Sequence, residues 1–246
     1  PPYKTDDGTG GWGADHSSPQ TAARLGEHML LAWRVAESGW GIIRVDATGD
    51  KKWGLKDGAE YLAGGKKRFF AAGGHSDPGV RVYDAAERRP LNFGSGRNRA
   101  DFPDGGSRET NHVSGLDFRN GRLFVAYRQR ELISINDAKS GSVLRTWKVP
   151  VPGRLVATGD AEVLVLSQGK VLRVEEGEVS TFATAHLDEP AGIAADDAGR
   201  VYVTNRGELQ NVSVFSPEGK YLRSIGTKGG RPRVGRYSSD GMLEAA

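Results

Sequence analysis

The chain has no cysteine. That excludes disulfides, thiolate metal ligands and a cysteine nucleophile, and it leaves the redox compartment open. No apolar run approaches the ~20 residues of a membrane-spanning helix, and residues 1–7 carry no signal-peptide pattern. An excess of one charge is missing too: 34 Lys and Arg against 31 Asp and Glu leave a formal +3. A balance this mild implies no polyanionic partner for the chain as a whole, so any such case rests on how the charge is distributed. A Gly-x-Ser-x-Gly elbow, a phosphate-cradling glycine loop and a zinc-protease helix are also absent.

Turn-formers are abundant, with 35 Gly and 11 Pro, as many short strands require. Hydrophobic residues at 37% and charged residues at 26% are compatible with a packed core. The chain also repeats itself. Ala191-Gly192-Ile193-Ala194-Ala195-Asp196-Asp197-Ala198-Gly199-Arg200-Val201-Tyr202-Val203-Thr204 echoes Ser114-Gly115-Leu116-Asp117-Phe118-Arg119-Asn120-Gly121-Arg122-Leu123-Phe124-Val125-Ala126. Each copy is a short apolar strand, a polar turn and an alternating strand. Self-similarity at a period of roughly 40 residues marks stacked copies of one supersecondary unit. For an all-β unit the closed solution is a propeller. The expected fold is therefore an all-β β-propeller of four-stranded blades in one domain over 1–246. The blades are expected at about 15–57, 58–94, 111–150, 151–185 and 186–227, with the start of a sixth at 228–246.

A chain that stops inside a sixth unit would expose strand edges. The expectation is a fragment of a larger propeller, or association with further blades or a second chain. The competing arrangement is five blades with a C-terminal tail, or residues 1–14 adding an outer strand to the last blade. Asp46-Ala47-Thr48-Gly49 before Trp53, and Asp137 to Gly141 before Trp147, predict a turn into an outer strand whose tryptophan docks between blades.

The stretch Glu189-Pro190-Ala191-Gly192-Ile193, Gly199-Arg200-Val201-Tyr202-Val203-Thr204-Asn205 and Val212-Ser213-Val214-Phe215-Ser216-Pro217-Glu218-Gly219-Lys220 resembles an NHL repeat. The resemblance is clearest over 189–226 and looser over 15–53 and 111–147; it implies a propeller of six or more blades with binding or enzymatic character. The related six-bladed lactonases of the SMP-30 group hold a metal through Glu, Asn and Asp. At the matching places this chain has Ala191 for Asn and Asn205 for Asp, which argues against that site. The resemblance and the missing cysteine favour an extracellular or periplasmic location.

Propeller topology puts the connections leading into each first strand on one rim, with those between second and third strands. That rim is expected to gather Trp12, Asp15 and His16, then His75 and Asp77, His112, Arg128, Asn205 and Arg206, and also His186 and Glu189. Four of the five histidines fall there, and His28 falls opposite. The link 94–109 adds Arg97 and Arg99. Arginine forks suit carboxylate, sulfate or phosphate. The plainer alternative has these charges solvated and partly paired with Asp101, Asp104 and Glu109. Likewise Trp12 either stacks a sugar or caps a blade, and His16 either helps hold a metal or bonds a carbonyl. No histidine spacing suits a metal, so neither metal nor cofactor is expected.

The leading function is a non-catalytic binding or scaffold module whose basic, His-bearing rim takes an anionic glycan or protein partner. Second comes a lyase on uronate-containing glycans, with His75 or His112, Tyr127 and Arg128 as the proton-transfer and charge-stabilising set. RNA binding ranks last, because few rim aromatics are available to stack bases.

Overall fold

Alternating apolar residues, punctuated by Asx and glycine turns, form twenty β-strands in five antiparallel meanders among the described residues. The computed structural model describes residues 17–35, 39–73, 79–103 and 111–230. The chain is an all-β β-propeller with four strands in each of these blades. The segment 231–246, which carries most of the expected sixth unit, lies outside the described residues.

Two compact units divide the chain. The first holds blade 1 (β1 Ser17–Leu25, β2 His28–Val35, β3 Gly39–Val45, β4 Lys51–Leu55) and blade 2 (β5 Tyr61–Gly64, β6 Arg68–Ala72, β7 Arg81–Asp84, β8 Pro90–Leu91). Its core joins Leu30, Ala32 and Ile42 of blade 1 to Leu62, Phe69, Ala71 and Tyr83 of blade 2. The first strands run so close that a Cβ on Gly64 would stand 1.7 Å from the Arg24 carbonyl oxygen. Glycine is required there.

The second unit holds three blades. Blade 3 is β9 Val113–Arg119, β10 Arg122–Tyr127, β11 Leu132–Asp137 and β12 Val143–Lys148. Blade 4 is β13 Pro152–Ala157, β14 Glu162–Ser167, β15 Lys170–Glu175 and β16 Glu178–Ala183. Blade 5 is β17 Pro190–Ala195, β18 Val201–Asn205, β19 Val212–Phe215 and β20 Tyr221–Ile225. The repeated phrase thus forms β9–β10 and β17–β18. One core binds blades 3 and 4 and another binds blades 4 and 5. Trp147 lies in the first of these, packed on Phe124 at 6.3 Å and beside Leu155 of the next blade, as the sequence predicts. The Trp53 side chain lies outside the described set.

The turns follow from their chemistry. Asp46 Oδ1 accepts from the amides of Thr48 at 3.0 Å and Asp50 at 2.9 Å, with Gly49 at φ 87°. Asp196 does the same for Ala198 and Arg200. Such Asx turns favour hairpin reversal over strand continuation.

Candidate functional site

Trp12, Asp15, His16 and His75 lie outside the described residues, as does Asp77. Arg97 and Arg99 belong to the first unit. Arg97 is exposed and its carbonyl accepts from the Phe93 amide at 2.7 Å; Arg99 is half-buried and bridges backbone to backbone with Arg81. His112, Tyr127, Arg128, Asn205 and Arg206 belong to the second unit. There the strand directions collect the segments leading into β9, β13 and β17 at one end, with the β10–β11, β14–β15 and β18–β19 connections.

At that end each blade uses one polar side chain as an anchor. The register pairs Val113 with Tyr127, Pro152 with Ser167 and Pro190 with Asn205. All three partners at the end of the second strand are buried. Asn205 Oδ1 accepts from the Asp188 amide at 2.9 Å, and its Nδ2 donates to Asn211 Oδ1 and Ser213 Oγ, each at 3.0 Å. Ser167 Oγ donates to the Pro150 carbonyl at 2.5 Å. Tyr127 is hydrogen-bonded to Ser134, whose hydroxyl donates to Asn136 Oδ1 at 2.7 Å; Asn136 Nδ2 donates to the Asp101 carbonyl at 2.9 Å. Each network ties an incoming loop to its own blade.

These positions correct two expectations. Tyr127 is only 1% exposed and Asn205 only 1%, so neither presents its side chain at the rim. Burial pushes the Tyr127 phenol above its ordinary pKa, the wrong direction for a residue meant to exchange protons near neutrality. The set His75 or His112, Tyr127 and Arg128 loses Tyr127 as a participant. Arg130 is also an anchor, donating through Nη1 to Asn111 Oδ1 at 2.9 Å and to the Pro103 carbonyl at 2.5 Å.

His112 and Arg128 are different. Both are exposed. Neither side chain has a hydrogen-bond or ion-pair partner among the described residues. Arg128 opens a single turn of 3-10 helix, Arg128–Arg130, closed by Glu131 in the left-handed conformation at φ 50°. Its Nη2 lies 3.9 Å from where a Cβ on Gly153 would stand, so the guanidinium reaches over the start of β13. The backbone just before that strand is strained: Val151 takes φ 42° between two prolines, costly for a β-branched residue. Both flanking carbonyls are pinned, Pro150 by Ser167 and Pro152 by Ser114 Oγ at 2.7 Å.

Further along, the Asp117 carboxylate bridges the first strands of blades 3 and 4. It accepts from the Phe118 and Ala157 amides, both at 2.8 Å. Burial pushes this carboxyl up to about 6, against those hydrogen bonds and the Arg119 charge, which favour the ionised form.

In the first unit, sequence reasoning missed one constellation. Asp57 accepts from Arg81 Nη1 at 2.6 Å and from the Tyr83 hydroxyl, while Arg81 Nη2 donates to the Gly73 carbonyl at 3.1 Å and to that of Gly58. The three side chains clamp the loops before β5 and β7. Asp57 lies 24 and 26 positions before its two partners, and no repeat signals the pairing.

No family model matches the chain, and no curated protein matches it. Several solved structures do. The Cps50 (Swd1) β-propeller domain of Myceliophteria thermophila is 14% identical with a TM-score of 0.56, covering 85% of this chain and 74% of that one. The WD40 β-propeller domain of Doa1 is 14% identical with a TM-score of 0.57, covering 84% and 68%. Glutaminyl cyclase of Myxococcus xanthus is 12% identical with a TM-score of 0.50, covering 77% and 86%. At such identities the likeness shows a shared fold and nothing finer: what this chain shares with them is the β-propeller.

Proposed function

We propose that this propeller is a non-catalytic binding module that takes an anionic partner at the end of its second unit where the incoming loops gather. One observation carries the reading. Of the described candidates in that unit, Tyr127 and Asn205 are buried anchors, whereas His112 and Arg128 face outward on a braced backbone without partners among the described residues. Rigid scaffolds that present polar side chains at loop ends are the usual form of a binding surface. The NHL-like phrase over 189–226 is consistent with a binding role, and the similar WD40 and Cps50 domains share the architecture.

Lyase chemistry is weaker, because Tyr127 is enclosed and its phenol is shifted away from neutrality. The test is an array of acidic peptides, acidic glycans and polynucleotides, probed with wild type and with a variant changing Arg128 and Arg206, both of the second unit, to Ala. Wild type is expected to bind acidic ligands without chemical turnover and to lose them as salt rises; the variant binds less. Equal binding by both proteins contradicts the proposal.

A further inference from the structure

The geometry points to the His112–Arg128 slot of blade 3 as a carboxylate-recognition site for an acidic peptide, an inference that rests on the binding role just proposed and gives it a place and a ligand class. The argument comes from three homologous positions. In sequence, the residues just beyond the last pairs Val113–Tyr127, Pro152–Ser167 and Pro190–Asn205 are His112 and Arg128, Val151 and Gln168, and Glu189 and Arg206. In blade 5 the Arg206 amide donates to the Glu189 carbonyl at 3.3 Å. Blade 5 therefore sets a carboxylate residue beside its arginine. Blade 4 has two uncharged residues. Blade 3 alone of the three has a histidine leading into its first strand where blade 5 has the glutamate, and supplies no acid at that position.

The surroundings fit a small planar anion. His112 directly precedes Val113 and Arg128 directly follows Tyr127, the last pair of the β9–β10 ladder, so the two residues leave the same end of the blade. The Arg128 guanidinium lies over Gly153, its Nη2 3.9 Å from where a Cβ there would stand. Ser114 is the bulged residue of β9, and its bond to the Pro152 carbonyl fixes the beginnings of β9 and β13 against each other. Glu131, on the same turn as Arg128, makes no ion pair with it among the described residues. The Arg128 guanidinium, with the imidazole of the residue leading into the facing strand, suits a small anion. The arginine fork matches both oxygens of a carboxylate.

A peptide carboxylate fits better than a nucleobase. Nucleobases bind by stacking on exposed aromatic faces. The aromatic rings beside the slot, Phe102 and Tyr127, are packed edge-on against each other at 6.4 Å, and Tyr127 is buried.

The test measures fluorescence anisotropy of labelled hexaglutamate, oligogalacturonate and oligouridylate with wild type, Arg128→Gln, His112→Gln and Arg206→Gln. All three substitutions are at exposed positions, and circular dichroism verifies the fold. The expected result is tightest binding of hexaglutamate, weakened about tenfold by R128Q and by H112Q, as for loss of a charge-assisted hydrogen bond, and less than about twofold by R206Q. Equal losses in R128Q and R206Q overturn the slot while leaving an anion-binding surface in place. Tighter binding of oligogalacturonate or oligouridylate, still lost in R128Q, overturns the peptide assignment alone. Failure of wild type to bind any of the three overturns the binding role itself.

Discussion

In blade 5 the arginine that follows the second strand donates its amide to Glu189, the residue leading into the first strand; in blade 3 the residue leading into the first strand is His112. The two blades come from the same repeated phrase, and much of their framework agrees. Each has a bulge where its first strand begins, a buried anchor at the end of its second strand and a buried serine in its third, Ser134 and Ser213. The difference lies in charge beside the incoming loop and in the fit of the first strand against the next blade. The comparison teaches that the repeat sets where side chains stand, whereas departures from the repeat set what the surface does.

The largest expected effect separates two aligned glycines. A Cβ on Gly115 would stand 2.3 Å from the Gly153 carbonyl oxygen, so alanine there must push β9 away from β13. In blade 5, a Cβ on Gly192 meets Thr204 Oγ1 at 2.9 Å, an exposed side chain that can rotate. Urea unfolding is expected to show Gly115→Ala destabilised by about 3 kcal/mol and Gly192→Ala by under about 1 kcal/mol. Equal costs would mean that blades 3 and 4 are not held by this close approach.

The anchors differ in how much they carry. Asn205 makes three hydrogen bonds to separate groups, so Asn205→Ala is expected to cost about 2–3 kcal/mol through unsatisfied partners. Tyr127→Phe keeps the packed ring and loses one bond, for about 1 kcal/mol. Reversal of that order would move the weight of loop anchoring to blade 3.

A pH difference sharpens the same contrast, because blade 5 has Ala194 where blade 3 has Asp117. The Asp117 carboxyl is raised to about 6 in the fold. Its contribution is therefore full below the ordinary carboxylate pKa and is lost as pH rises through 6, by about 2 kcal/mol after allowance for its partial exposure. Asp46, held low by Lys52 and Thr48, and Asp84, held low by the Glu87 and Ala86 amides, work in the opposite sense. Their stabilisation is present above about pH 4 and disappears on further acidification. The denaturation midpoint is expected to fall between pH 4.5 and pH 7.5 in wild type and to stay level in Asp117→Asn. An equal fall in both proteins would remove Asp117 as the cause.

Much of this fold is legible in the sequence. Val201 to Thr204 and Leu123 to Ala126 alternate cleanly, and Asp46 with Gly49 announces its turn, because these signals are local. Blade 2 is harder: β5 has four residues and β8 only two, too few for a period to show. The site is legible only in part. Tyr127, Arg128, Asn205 and Arg206 lie toward one end of their unit, but which of them face inward depends on Ser134 and Ser213, which stand on another strand. The Asp57–Arg81–Tyr83 clamp is invisible for the same reason, since its members meet only after blade 2 has formed.

Amide hydrogen exchange with and without saturating hexaglutamate tests the blade 3 assignment most directly. Slower exchange at 111–114, 128–131 and 150–154, with little change at 186–190 and 205–211, is the predicted result. Slowing confined to 186–190 and 205–211, or to the turns 119–122 and 158–161 at the other end of the strands, would contradict it.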